Sequence, residues 1–178
     1  MKYAGFWQRF FAGWIDFFVL LIPHVSLIWV SSVSQTLAIV CAVPHGLLYW
    51  FYTFHFHAAT GQTIGKRALD IRVVCLDGSR IGRPESFRRS AVDLGFAVIW
   101  TFGSIWGVSQ LSPSQLSSAG WFQQQELIDN VQPGFINWVD IASQVWVWSE
   151  VFTMLLNRQR RAIHDFIAGT IVVNESAS

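Results

Sequence analysis

The stretch Arg9–Leu21, RFFAGWIDFFVLL, sets one aspartate, Asp16, inside a run of aromatic and aliphatic residues, seven positions after an arginine. In a membrane-spanning helix such a carboxylate is costly and needs a partner or a purpose. The surrounding chain says which solvent applies. Of its 178 residues 52% are hydrophobic and 13% charged, and the mean hydropathy is +0.38. Soluble domains carry about 25% charge. Four apolar segments, Phe10–Val33, Leu37–Phe56, Ala91–Val108 and Trp138–Leu156, each have at least 18 residues. That is enough helix to cross a hydrocarbon layer of roughly 30 Å. A soluble bundle of buried helices is the alternative, and four such runs in so short a chain argue against it.

The twelve Lys and Arg residues fall into three regions: Lys2 and Arg9; Lys66 to Arg89; and Arg158 to Arg161. The connections Ser34–Thr36 and Ser109–Asn137 contain none. Cationic loops stay on the cytoplasmic side, so the termini and the central loop 58–90 are expected inside and the loop 109–137 outside. The first apolar run is too long for a cleaved signal segment, and a second span follows it at once. Trp7, Trp14, Trp29, Trp50, Trp106 and Trp138 lie near the expected span ends, where indole rings favour the headgroup layer. Cys41 within a span and Cys75 in the inner loop predict no structural disulfide.

Between the spans, the inner loop runs from the turn-rich ATGQTIGKR into the β-branched Ile71–Cys75 and the hairpin signal Asp77-Gly78. A second β-branched run lies at Ala168–Val173. The expected fold is an all-α polytopic membrane protein of four transmembrane helices. A small cytoplasmic β hairpin or sheet over 71–75, 80–82 and 170–173 accompanies them. Pro84 and Glu85 mark a first helical turn ahead of the third span. Gly61–Arg67 resembles a phosphate loop only superficially: it has three residues between its glycines instead of four, and Arg follows the Lys. Nucleotide and nucleic-acid partners are not expected. The outer loop carries Trp121, Phe122, Leu127, Ile128 and Phe135, which predicts packing at the bilayer surface.

Within the spans, Arg9 and Asp16 share a helix face about 10 Å apart along the axis, too far for an unstrained pair, so each is expected to look to another segment. Ala12 and Gly13 between them permit close approach of a neighbour. Ser143, Glu150 and Asn157 recur every seven residues along the fourth span, and Asp93 lies on the third. Asp16, Glu150 and Asp93 are therefore the candidate ion-binding or polar cluster. Two readings stand: a cation or proton site, or acids neutralised by Arg9, Arg89 or Arg161 to fix helix register. The pairs Pro23-His24 and Pro44-His45 lie at nearly equal depth. His24 and His45 either line a proton-responsive spot or donate to carbonyls freed by the prolines. His55 and His57 point to different faces, and neither a metal nor a cofactor is expected.

The stretches WQRFFAGWIDFFVLL, ATGQTIGKRALDIRVVCLDGSRI and RRAIHDFIAGTIVV, in that order, resemble the RDD family of bacterial membrane proteins. Its pattern is an arginine opening the first span, an aspartate within it, and a later aspartate. The resemblance assigns Arg9, Asp16 and Asp165 to these places and treats residues 1–175 as one membrane domain. The region 110–157 departs from the pattern, so Glu150 has no family support. What the resemblance implies for activity is a loose link to transport, with no settled substrate. Arg9 and Asp165 would both lie at the cytoplasmic surface, and an ion pair between them is expected.

The leading expectation is an inner-membrane protein that moves a small cation or protons, as a homo-oligomer in the lipid bilayer, with Asp16 as the ion-binding acid. The alternative is a non-transporting scaffold or assembly factor. With no GxGD, HExxH, CxxC or nucleophile-elbow motif, no enzymatic activity is expected.

Overall fold

The computed structural model describes residues 2–175, with only the backbone of Ser117; Met1, the first residue of the expected domain, lies outside that range. Its elements are α1 (Phe6–Ser31), α2 (Gln35–Thr60), α3 (Ile64–Ala68), β1 (Ile71–Cys75), α4 (Arg83–Gln110), α5 (Pro113–Ser118), α6 (Trp121–Val131), α7 (Phe135–Leu156), α8 (Ile163–Ala168) and β2 (Thr170–Asn174). The apolar runs fold as long helices, and α1 shows what kind. Its buried residues are Ala12, Asp16 and Leu20, a single stripe with a spacing of four. Around that stripe Phe18 is 59% exposed and Ile22 73%. A helix that buries its carboxylate and bares its aromatic rings has lipid, not water, as its matching solvent.

Among the described residues three helices, α1, α2 and α4, are long and apolar enough to cross a membrane. The expected fourth span folds as α7, a helix of 22 residues. It carries Asp140 and Glu150 and falls outside that set. The helices also outrun the apolar segments. α4 begins at Arg83, eight residues before the expected span, with Pro84 in its first turn and Glu85 Oε2 accepting from the Gly82 N–H at 2.9 Å.

By their contacts the residues fall into two compact units. The first comprises Met1–Leu20, Trp50–Val92 and Gln144–Ser178; the second comprises Leu21–Tyr49 and Asp93–Ser143. The first unit is built on an antiparallel pair in which Val73 faces Val172 and Ile71 faces Asn174. Ile71, Val73 and Val172 are fully buried and form a small core with Ala4, Ala12 and Ile81. In the second unit Val108, Leu111, Leu116 and Ile128 cluster, so α5 and α6 pack on the end of α4.

The expected hairpin is corrected. Residues 80–82 form no strand; one isolated bridge, Val74 to Arg80, is what remains of it. The turn itself is as expected, with Gly78 at φ 84° and the Asp77 carboxylate accepting from the Ser79 N–H and hydroxyl at 2.9 and 2.7 Å. The chain must then enter α4 at Arg83, which leaves no length for a third strand. The edge of β2 is covered instead by the N-terminal residues. Ala4 N donates to Val172 O at 3.0 Å and Asn174 N to Lys2 O at 2.9 Å.

Candidate functional site

Asp16 is buried on α1 and receives three donors. Tyr52 on α2 gives its hydroxyl to Oδ1 at 2.6 Å, Thr63 gives its hydroxyl to Oδ2 at 2.6 Å, and the Gly65 N–H reaches Oδ1 at 2.7 Å. Thr63 is the N-cap of α3, its oxygen also accepting from the Lys66 N–H at 3.3 Å. Tyr52 likewise accepts from the Ile64 N–H at 3.0 Å. The carboxylate thus binds the first turn of α3 to α1, adding negative charge where free N–H groups collect. Gly65 has a steric reason to be glycine: a Cβ there would lie 2.0 Å from Ala12 O. The close approach expected beside Ala12 is therefore made by α3, while Gly13 has open space next to it.

Asp165 is fully buried in the first turn of α8. Its Oδ2 accepts from Arg9 Nη1 at 2.9 Å and from the Ala162 N–H at 3.0 Å. Its Oδ1 accepts from Arg89 Nη1 and, at 3.2 Å, from the Thr170 hydroxyl. Arg161 closes the ring, donating to Thr170 O at 3.0 Å and Asp165 O at 2.9 Å. Burial alone would raise the Asp165 pKa; the guanidinium groups of Arg89 and Arg9 and the Ala162 N–H outweigh it and hold the carboxyl well below the usual carboxylate range. The expected Arg9–Asp165 pair is present, and Arg89 is a second guanidinium on the same acid.

His164 extends this network. Its ring Nε2 lies 2.7 Å from Arg89 Nη2, and because a guanidinium only donates, Nε2 accepts. The ring proton then sits on Nδ1; Glu150 Oε2 lies 2.5 Å from that nitrogen but accepts no hydrogen bond among the described residues. Glu150 Oε1 accepts from the His164 N–H at 2.9 Å. Arg9, Arg89, Asp165 and Glu150 balance in charge when His164 is neutral. Lys66 stands half-buried within electrostatic reach of both acid centres. Burial and Arg89, against the pull of Asp16, bring its amine from 10.5 down to about 8.

The three acids of the expected cluster are placed as follows. Asp16 takes donors from α2 and α3, Glu150 engages His164, and Asp93 belongs to the second unit. Among the described residues no three His, Cys, Asp or Glu side chains are placed to hold a metal ion. His24 and His45 do meet in the second unit, their ring centroids 4.7 Å apart in an edge-to-face contact, with His24 Nδ1 buried and unpartnered. Tyr52, Thr63 and Thr170 were not singled out by sequence reading. A hydroxyl in an apolar run was the signal for Tyr52, and the threonines of GQTIGK and AGTIVV were the signals for the other two.

Buried ion pairs under long, lipid-matched helices define a small multi-pass helical membrane protein. The chain belongs to the RDD family, whose model matches residues 3–169. Over 107 residues it is 31% identical to the uncharacterized protein YckC of Bacillus subtilis (strain 168). That alignment covers 57% of this chain and 66% of the relative, so the chain spans just under two thirds of that protein's length. No solved structure matches. The segments that carry the resemblance each have a mechanical task here. In HDFIAGT, His164 meets Glu150, Asp165 meets the arginines, Gly169 turns the chain at φ 68°, and Thr170 bridges Arg89 and Asp165.

Proposed function

We propose that this RDD protein is a non-enzymatic, non-transporting scaffold of the bacterial inner membrane whose buried charges hold its own segments in register. One observation carries the reading: both oxygens of Asp16 are taken by donors from α2 and α3, and Asp165 is shared by two guanidinium groups. A cation entering at Asp16 would have to displace the hydroxyl and amide protons aimed at it. Four spans with both ends cytoplasmic fit the distribution of Lys and Arg. The outward apolar face of α7 supports its crossing as the fourth, with Val145 63% and Leu156 85% exposed.

A second reading, movement of protons or a small cation by a homo-oligomer, is favoured by Glu150, whose buried Oε2 lies 2.5 Å from His164 Nδ1 and has no hydrogen-bond partner among the described residues. Asp16→Asn and Glu150→Gln, taken together, separate the two. The scaffold reading expects reduced protein level and earlier thermal unfolding, with unchanged ion and proton flux per molecule in proteoliposomes. Flux lost from a protein of normal level and stability would sink it.

A further inference from the structure

The second unit holds a cavity of about 520 Å³ that the charge network does not use. Small-molecule sites occupy roughly 300–1,000 Å³. Its walls come from α1, α2, α4, α5 and α6, with Leu27, Ala38, Cys41 and Val108 supplying apolar surface. No Asp, Glu, Lys or Arg lines it. A charged occupant would lose its hydration there with no acidic or basic side chain other than His45 on the wall to offset it.

The wall carries polar groups of several kinds, His45, Ser104 and Gln125 among them, and two glutamines on it are fixed. Gln35 spends its amide N–H groups on Val108 O at 3.0 Å and Leu111 O at 2.7 Å. Gln124 does the same toward Leu116 O at 2.7 Å and Ala119 O at 3.2 Å. Both glutamines line the cavity, and neither Oε1 has a partner among the described residues, which leaves two hydrogen-bond acceptors. The same four bonds tie α2 to the end of α4 and α6 to α5, so the walls are formed in advance. Gly46 lets α2 and α4 meet closely beside the cavity, since a Cβ there would lie 2.0 Å from Thr101 Oγ1.

We infer that this cavity is a binding site for a neutral amphiphile with a hydrogen-bond-donating head, an alcohol or an amide, and a hydrocarbon body. Absence of lining charge sets neutrality, the glutamine oxygens select a donor head, and the aliphatic wall takes the body. The site is independent of the proposed scaffold role.

The test is photolabelling of the full chain in lipid nanodiscs with a diazirine-bearing octanol, beside the corresponding octanoate, with labelled residues mapped by mass spectrometry. Expected is saturable labelling of the Leu37–Gly46 and Trp121–Val131 segments by the alcohol and not by the carboxylate. Excess octanol, as a free small molecule, or dioctanoylglycerol, as a neutral lipid, should reduce it to background; whichever competes at lower concentration identifies the source. Ala42→Trp, which fills the cavity, should abolish the saturable component while the protein stays monodisperse. Ser104→Phe serves the same purpose should the first variant fail to fold. Equal labelling by the carboxylate, labelling spread over the exposed helix faces without saturation, or persistence in a folded cavity-filled variant would overturn the proposal.

Discussion

Asp165 shows how much depends on one side chain. Two guanidinium groups share it, and a buried pair broken by removing one partner costs about 3–5 kcal/mol because the other charge is stranded. Asp165→Asn keeps the shape and removes the charge, so a loss of that order is expected in unfolding of the detergent-solubilised protein. Arg89→Lys should also destabilise, since an ammonium cannot replace a guanidinium that contacts Asp165, Thr170 and His164 together. The sign of the acid response follows from the lowered pKa of Asp165. Its contribution is complete above the ordinary value of 3.8 and erodes as pH falls below that toward the depressed folded value. Thermal unfolding followed from neutral to acid pH should therefore show a loss that Asp165→Asn lacks. Lys66 behaves oppositely. A lysine lowered to about 8 carries less charge in the folded state, so its contribution to stability rises as pH climbs from about 8 to 10.5. Acylation by a water-soluble amine reagent, resolved by peptide mapping, should half-titrate near 8 at Lys66; a midpoint near 10.5 would contradict the burial assigned to it.

The elements divide into those held by pattern and those held by contact. α3 has five residues, too few to be stable alone, and it exists because Asp16 and Tyr52 bind its first turn. Gly65→Ala would drive a methyl into Ala12 O and is expected to cost about 1–3 kcal/mol. Gly13→Ala, with nothing within 4 Å of the added carbon, should cost little. Comparing the melting of the two variants, and the protease sensitivity of the Lys66-Arg67 bond in each, checks the argument. The long helices were legible because an apolar run reports its solvent directly. Arg9 and Asp16 were legible as polar exceptions within such a run, and the Arg9–Asp165 pair followed from depth and charge. The edge strand was not. Lys2–Ala4 shows no alternation, and its pairing with β2 is fixed by where α1 begins. The hairpin was overread because Asp77-Gly78 specifies the turn and says nothing of how soon the next helix must start. The partners of Asp16 were hidden in a loop whose glycines and threonine resemble many turns until the acid they serve is in place.

At the scale of the molecule, the matter to be tested is how many times the chain crosses the bilayer. With α7 as a span, a cysteine placed at Gln123 in a chain lacking Cys41 and Cys75 should react with an impermeant thiol reagent from outside intact spheroplasts, and one at Arg158 only after lysis. Labelling of both from the same side would remove α7 from the count of spans. Such a result would leave the Arg9–Asp165 and Asp16–Thr63 contacts as they are, because both lie within the first unit.

The shared carboxylate also imposes an order on biogenesis. Arg9 and Arg89 emerge from the ribosome well before residue 165, so for most of synthesis two cations destined for burial have no anion to meet. The fold latches only when the later-made segment around Asp165, the tail of this network, returns to α1. A polypeptide cut short upstream of that tail presents stranded arginines, the kind of defect by which a membrane quality-control protease tells an unfinished chain from a finished one.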